Sequence, residues 1–557
     1  MRRKEVLVAE LLLLIYVLQC AWFARTQSMT FDEPIHTYTG LELWRTGGFE
    51  HWIEQPPLGR ILLALPITGK QFQMKIQDAD AWFYVVGIRP GPQNFIAGPR
   101  MMNIMLGVLL GILVWFAVRR LYGGGAAGFA LALFAFSPQL IAHFSVATTD
   151  GIGVLTVFLI AFQLVRWRSD PSRLQTMFLG LAFGLALLAK FYSPPFIVLA
   201  MLLVLFTPRT NSAERVAAFS WRPRDWSWKP VLVAAAIAAF TLWAGYLFHV
   251  GHVSVHEGQL VATFPNRTPI VQTVPLNFNL DSPLPAGEFF AGLDTLYLHN
   301  RQGHPSFLLG KRYIDAAPHW YFPAAIALKW PTISLLLGLA GFALVVARGW
   351  TNTHKRIDGA IYGAFGLVAL LSAISARLTI GDRHVMSLYP FLLIGAATVW
   401  HLASNLSARR NLVLGVLMAL AALNAADVLR YAPGYLSYFN VFVSPKRSYE
   451  LLSDSNLDWG QGLLAVKDYE REHPEEATHL AYFGSVAPAL YGIKAAPFSP
   501  GERVSGTVMV SATLLSGQYL RAPDGYRWLL SYPLKTILDH SIFVFNVPSQ
   551  NRTLSEN

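Results

Sequence analysis

The chain has 557 residues, 54% of them hydrophobic and only 14% charged, which excludes an ordinary soluble protein of this size and points to a polytopic membrane protein. Its net charge of +11 would suit a nucleic-acid partner in a soluble chain, but here the basic residues gather in short loops between apolar runs, so no nucleic acid is expected. The one cysteine, Cys20, lies in the first apolar run and excludes an intrachain disulfide.

In chain order, residues 5–23 form an apolar helix long enough to cross a bilayer. Met1-Arg2-Arg3-Lys4 precedes it and no small-residue cleavage site follows, which predicts a retained helix starting in the cytoplasm. Apolar runs recur at 95–118, 124–143, 151–165, 174–189, 195–206, 231–249, 331–347, 360–376, 385–402 and 412–429, giving about eleven crossings. Alternation then places Arg119 and Arg120, Arg166 to Arg173, the five cations from Arg209 to Lys229, Arg348 to Arg356, and Arg409 and Arg410 inside. Lys190-Phe191-Tyr192-Ser193-Pro194-Pro195 divides 174–206 into two short pieces, read as a bent hairpin or as two crossings.

Residues 25–94, 250–328 and 430–557 fall outside on this count. The last has β-like runs at 479–483, 507–511 and 542–547 and a helical stretch at 462–472, predicting an extracytoplasmic α/β domain of about 125 residues with its own core. The remainder, 1–429, is the membrane core. Two Asn-x-Thr triplets, at Asn266 and Asn551, are too short a pattern to carry weight.

Five segments concentrate polar chemistry. Asp32 and Glu33, in Phe31-Asp32-Glu33-Pro34-Ile35-His36, emerge at the end of the first helix, where idle charge is costly. Glu54-Gln55-Pro56-Pro57 adds a third carboxylate ahead of a rigid turn. Asp150 opens the fourth helix, as an N-cap, as a site residue, or as both. His304-Pro305-Ser306-Phe307-Leu308-Leu309-Gly310-Lys311-Arg312 carries two cations, suited to phosphate or to interfacial snorkelling. Gly381-Asp382-Arg383-His384 puts an arginine fork at an outer helix start, and Ser453-Asp454-Ser455-Asn456-Leu457-Asp458-Trp459-Gly460-Gln461 follows the membrane core.

Together these segments resemble lipid-carrier-dependent glycosyltransferases of the membrane GT-C class, similar to protein O-mannosyltransferases and lipid A aminoarabinose transferases. The Phe-Asp-Glu and Glu-x-Pro-Pro pair, the Pro-x-Phe-Leu-Leu-Gly block and the Gly-x-Arg-His segment carry the resemblance. It implies transfer of a sugar from a polyprenyl-phosphate donor to a protein, lipid or glycan acceptor at the outer face of the cytoplasmic (inner) membrane. The expected roles are Asp32, Glu33 and Glu54 in acid-base chemistry, with Asp150 and His36 supporting them. Arg383, His384, Lys311 and Arg312 are expected to bind the donor phosphate. No Asp-x-Asp pattern stands at these positions, so no metal cofactor is expected. The rival class is a transporter or flippase of lipid-linked saccharides, which would set its ionisable residues near mid-membrane.

Overall fold

A computed structural model of the protein describes residues 3–49, 54–80, 83–206, 228–256, 259–263, 269–273, 279–347 and 353–549. Arg209, Arg215, Arg222, Arg224, Arg348 and both Asn-x-Thr triplets lie outside the described residues.

The first half runs α1 (Arg3–Thr26), α2 (Glu33–Thr46), α3 (Pro57–Ala64), the hairpin β1 (Gln73–Asp80) and β2 (Phe83–Arg89), α4 (Pro92–Tyr122), α5 (Gly124–Ala135), α6 (Pro138–Ser145), α7 (Asp150–Ser169), α8 (Arg173–Ala189), α9 (Pro194–Phe206) and α10 (Lys229–Gly245). A four-stranded antiparallel sheet follows, from β3 (Val250–His256), β4 (Gln259–Thr263), β5 (Ile270–Thr273) and β6 (Leu280–Pro285), in the order β5-β4-β3-β6. Then come α11 (Gly287–Gln302), the short hairpin β7 (Ser306–Leu308) and β8 (Lys311–Tyr313), α12 (Tyr321–Lys329), α13 (Thr332–Ala347), α14 (Thr353–Ser375), a 3-10 turn at Asp382–Leu388, α15 (Tyr389–Ser404) and α16 (Arg410–Leu429).

Each of the eleven apolar runs is helical, but length narrows the count of crossings. Among the described residues, six helices are long and apolar enough to span a membrane, or seven if the pair α5 and α6 is one span. That pair is bent by 61° where Pro138 lacks the N–H to continue the ladder. The predicted break at Lys190 is present, and α8 and α9 have 17 and 13 residues. A 17-residue helix is roughly 26 Å long, a little under the thickness of a hydrocarbon core.

Burial orders the bundle. The apolar stretch of α7 is 83% buried and that of α15 78%, whereas α16 is 17% buried and turns Leu412, Val416, Met418 and Leu423 outward. Helices α13 and α15 cross so closely that a Cβ on Gly341 would collide with the Gly395 carbonyl, a small-residue crossing suited to a medium without a hydrophobic drive.

Beyond α16 the chain forms α17 (Leu463–Glu472), β9 (Thr478–Ala481), β10 (Ala496–Pro497), β11 (Gly506–Ser511), the one-turn α18 (Ala512–Ser516), β12 (Leu534–Leu538) and β13 (Ile542–Val547). The strands make one sheet in the order β10-β9-β11-β13-β12, parallel from β10 to β11 and antiparallel beyond. Contrary to the expectation from length, this sheet does not keep its core to itself. Met29, Leu41, Leu63, Ile67 and Val86 of the first loop bury against Leu463, Val466, Leu480, Met509 and Val544. The backbone stitches the same seam. Ser28 N–H donates to the Gln461 carbonyl at 2.9 Å, Phe31 N–H to Trp459 at 2.8 Å, and Val86 N–H to Ser485 at 2.8 Å. Those bonds fix where α2 begins.

Because α16 alone separates 403–409 from the sheet, single cysteines at Ser407 and Ser549 in a Cys20→Ser background should react with an impermeant thiol reagent from opposite faces of sealed vesicles. Labelling from one face would remove α16 from the crossings.

Candidate active site

Asp32 occupies the N-cap position of α2 but makes no side-chain cap bond. Its carboxylate turns instead to Arg383, with Oδ2 2.9 Å from Nη1. The same Nη1 lies 3.6 Å from Asp150 Oδ2, and Asp150 Oδ1 is 2.9 Å from Lys190 Nζ. Two carboxylates and two cations therefore alternate as Asp32, Arg383, Asp150, Lys190. The guanidinium sits over the Trp459 ring at 4.1 Å, and Asp32 and Asp150 flank it. Its Nε is buried and has no hydrogen-bond partner among the described residues.

This row borders a cavity of about 680 Å³ that is also lined by His36, Glu54, Gln55, Tyr192, His304, His384, Asp454, Phe483 and Tyr519. The lining also has apolar members, Leu293 and Leu296 of α11 and Ala376, Leu378 and Ile380 between α14 and the 3-10 turn. Glu54 lies 3.6 Å from His299 Nδ1. Burial holds the His36 and His304 imidazoles down at about 4, in His36 against the pull of the Asp32 carboxylate, so both are neutral at neutral pH. Those two imidazoles therefore add nothing to the positive charge of Arg383 and Lys190.

The sequence-predicted set divides. Asp32, Glu54, Asp150, His36, Arg383 and His384 all line the cavity. Glu33 does not. It is fully buried, paired with Arg100 at 2.8 Å (Oε1 to Nε) and 2.6 Å (Oε2 to Nη2), and it accepts from the N–H groups of Thr30 and Ala147 at 2.7 Å each. Every lone pair that a base would need is thus engaged in holding backbone. Lys311 and Arg312 do not reach the cavity either. Lys311 is exposed beside the Tyr313 ring at 5.2 Å, and Arg312 donates to the Leu520 carbonyl, because β7 turns back at Leu309 and Gly310 and carries both cations away. Asp150 is not the N-cap of α7, a place taken by Thr149.

Sequence reasoning did not pick out Lys190, Tyr192, Phe483 or Tyr519 for the site. Lys190 had a visible signal, an ionisable residue between two apolar runs. Phe483 and Tyr519 had none, since they come from the sheet after α16. In the Ser453 to Gln461 segment, Asp454 lines the cavity and Trp459 underlies Arg383, whereas Asp458 is buried and accepts from the backbone N–H of Thr513 at 3.1 Å and of Gly460 at 3.3 Å. Burial raises Asp458 to about 7 and Asp454 to about 6, the latter against the Tyr519 hydroxyl and the Arg383 charge. Among the described residues no three His, Cys, Asp or Glu side chains converge as metal ligands.

Residues 94–220 match the family model of dolichyl-phosphate-mannose-protein mannosyltransferase, and no curated protein sequence matches the chain. Among solved structures, the Saccharomyces cerevisiae protein O-mannosyltransferase Pmt1-Pmt2 complex bound to the sugar donor is similar at TM-score 0.53 and 10% identity, over 78% of this chain and 90% of that one. ArnT from Cupriavidus metallidurans bound to undecaprenyl phosphate aligns over 98% of both chains at 11% identity and TM-score 0.46. The resemblance read from the sequence is borne out, and the membrane fold is like that of the protein O-mannosyltransferase complex.

If Glu33 is structural, Glu33→Gln and Arg100→Ala should each lower stability by about 3 to 5 kcal/mol, the usual consequence of breaking a buried pair. Thermal unfolding in detergent checks this. A Glu33→Gln protein that melts with the parent yet has lost turnover would return Glu33 to the catalytic set.

Proposed function

We propose that the protein transfers a sugar from a polyprenyl-phosphate donor to an acceptor hydroxyl at the outer face of the cytoplasmic membrane. The observation that carries this reading is Arg383, held between Asp32 and Asp150 where it lines the cavity. A guanidinium in that lining suits a lipid phosphate, and the apolar wall of Leu293, Leu296 and Leu378 suits the chain attached to it. The family model matched by 94–220 is named for a lipid-phosphate sugar donor, which agrees.

The mechanism follows from the order of charges. When the donor phosphate takes its place on Arg383, with Lys190 close behind, it competes with Asp32 for the guanidinium and frees that carboxylate. The acceptor oxygen then attacks the anomeric carbon while its proton passes to Asp32. The bond from that carbon to the phosphate oxygen breaks, and its electron pair leaves with the polyprenyl phosphate, whose charge Arg383 and Lys190 balance. A single displacement of this kind inverts the anomeric centre. Asp150 orients both cations, and Glu54, also in the lining, is left to meet the acceptor. The transporter reading is disfavoured because Asp32, Asp150, Lys190 and Arg383 all stand at helix ends around one cavity and not along mid-span.

Asp32→Asn should express normally, still bind donor, and lose roughly a hundredfold or more in turnover, the usual scale for a general base. Near-parental turnover would move the base to Glu54. Arg383→Lys keeps the charge without the planar fork, so donor binding should weaken by about 1 to 3 kcal/mol. Unchanged binding in Arg383→Ala would place the phosphate elsewhere. Turnover is expected to persist in EDTA, because the two cations can do the work of a divalent ion on one phosphate; loss in EDTA with recovery on adding magnesium or manganese would reverse this.

A further inference from the structure

One wall of the cavity has no part in the transfer step described above. Phe31, Phe483 and Tyr519 form an offset stack, with Phe31 and Phe483 centroids 5.6 Å apart at 17° and Phe483 and Tyr519 5.4 Å apart at 7°. All three line the cavity. At the end of the stack the Tyr519 hydroxyl donates to Asp454 Oδ2, and Asp454 also lines the cavity. Asp454 holds a left-handed backbone, φ 58°, which an aspartate tolerates and which its neighbours anchor: its N–H donates to Thr513 Oγ1 at 3.0 Å, and its carboxylate accepts from Ser455 N–H.

We infer that this wall is the acceptor subsite and that the acceptor is a neutral sugar, recognised by its ring face on the stacked aromatics and by its hydroxyls at Asp454. The inference rests on the glycosyl-transfer reading for the identity of the reaction, but not for the binding itself. Flat apolar rings bordered by a carboxylate suit a molecule with an apolar C–H face and a hydroxyl edge. A peptide serine or threonine offers no such face. A phosphorylated acceptor is disfavoured by charge: Asp150 and Asp32 are balanced by Lys190 and Arg383, while Asp454 and Glu54 add two more carboxylates to the lining, Glu54 with the His299 imidazole beside it. With Asp454 raised to about 6, the group accepts from a hydroxyl when ionised and donates to one when protonated, and a polyhydroxyl ligand satisfies either state.

The test uses the full-length protein in detergent or nanodiscs, with methyl α-mannoside and methyl α-glucoside as neutral probes, glucose 6-phosphate as the anionic probe and a short Ser/Thr peptide as the third. Saturation-transfer NMR reads binding without any reaction, and release of polyprenyl phosphate from a polyprenyl-phosphate hexose reads transfer. Saturation should reach the ring C–H protons of a neutral glycoside. It should fall at least tenfold in Asp454→Asn and in Phe483→Ala, and less in Tyr519→Phe, which keeps the ring and loses only the hydroxyl. In turnover Asp454→Asn and Phe483→Ala should raise the KM for the glycoside at least tenfold, and Tyr519→Phe should raise it by less. Tyr519→Phe guards against misfolding, because a change in its KM without a change in melting temperature cannot be ascribed to lost structure. Glycoside binding equal in the parent, Asp454→Asn and Tyr519→Phe would overturn the inference, as would tighter binding of glucose 6-phosphate or of the peptide. Glycoside binding that depends on Asp454 but supports no transfer would leave the subsite standing and sink the glycosyl-transfer reading instead.

Discussion

Arg100 and Glu33 hold the site in place without taking part in it. Arg100, on α4, donates twice to Glu33, to the carbonyls of Ala24 and Gln27 at 2.8 Å, and to that of Ser28 at 2.7 Å. It therefore closes the C-terminal end of α1, where helix carbonyls would otherwise lack partners in a buried setting. Glu33 returns the connection by accepting from Thr30 and from Ala147, the latter in the turn between α6 and α7. Taking two charges from water costs several kcal/mol each, and only this degree of hydrogen bonding offsets it. One ion pair thus joins the end of α1, the start of α2, α4 and the turn before Asp150. Asp32 and Asp150 belong to two segments far apart in the chain, and they flank one guanidinium because this pair sets both.

On that frame the cavity separates three demands. Alternating charges gather on one side, where Arg383 and Lys190 face Asp32 and Asp150. The apolar side is built by α11 and the segment after α14. The third side comes from the C-terminal segment, whose Trp459 backs the guanidinium and whose Phe483 and Tyr519 form the aromatic wall. A guanidinium over an indole loses less on leaving water than one packed on aliphatic groups, so Trp459 stabilises Arg383 in place while leaving its edge available.

Much of this was legible in the sequence wherever a charge had no cheap explanation. Asp32, Asp150 and Arg383 stand at the ends of apolar runs, and the structure brings all three to one cavity. Glu33 was misjudged because adjacency in sequence is not adjacency in space. Successive helical residues point about 100° apart, so Asp32 faces the cavity and Glu33 the interior. The partner that decides this, Arg100, is an unremarked basic residue in a long apolar helix. Lys311 and Arg312 were misplaced by a two-residue turn through Leu309 and Gly310, both at positive φ, whose direction no hydropathy pattern encodes. The number of crossings was harder still, because helices of 13 to 17 residues sit at the limit where composition separates a span from a buried hairpin.

Chain order suggests a boundary at about residue 430, and packing does not respect it. Residues 28–31 run along the C-terminal segment through bonds from Ser28 to Gln461 and from Phe31 to Trp459, and Ser485 Oγ donates back to Phe31 at 2.7 Å. The sheet buries Met29, Leu41 and Leu63 of the first loop, apolar side chains that would face water without it. A segment that were only an appended domain would leave the cavity whole when removed. Removing this one would take away the indole beneath Arg383, the carboxylate of Asp454, the aromatic wall and the backbone that sets the start of α2. The helix ends supply the alternating charges of the cavity, but the position of Asp32 among them depends on a sheet built by the last quarter of the chain.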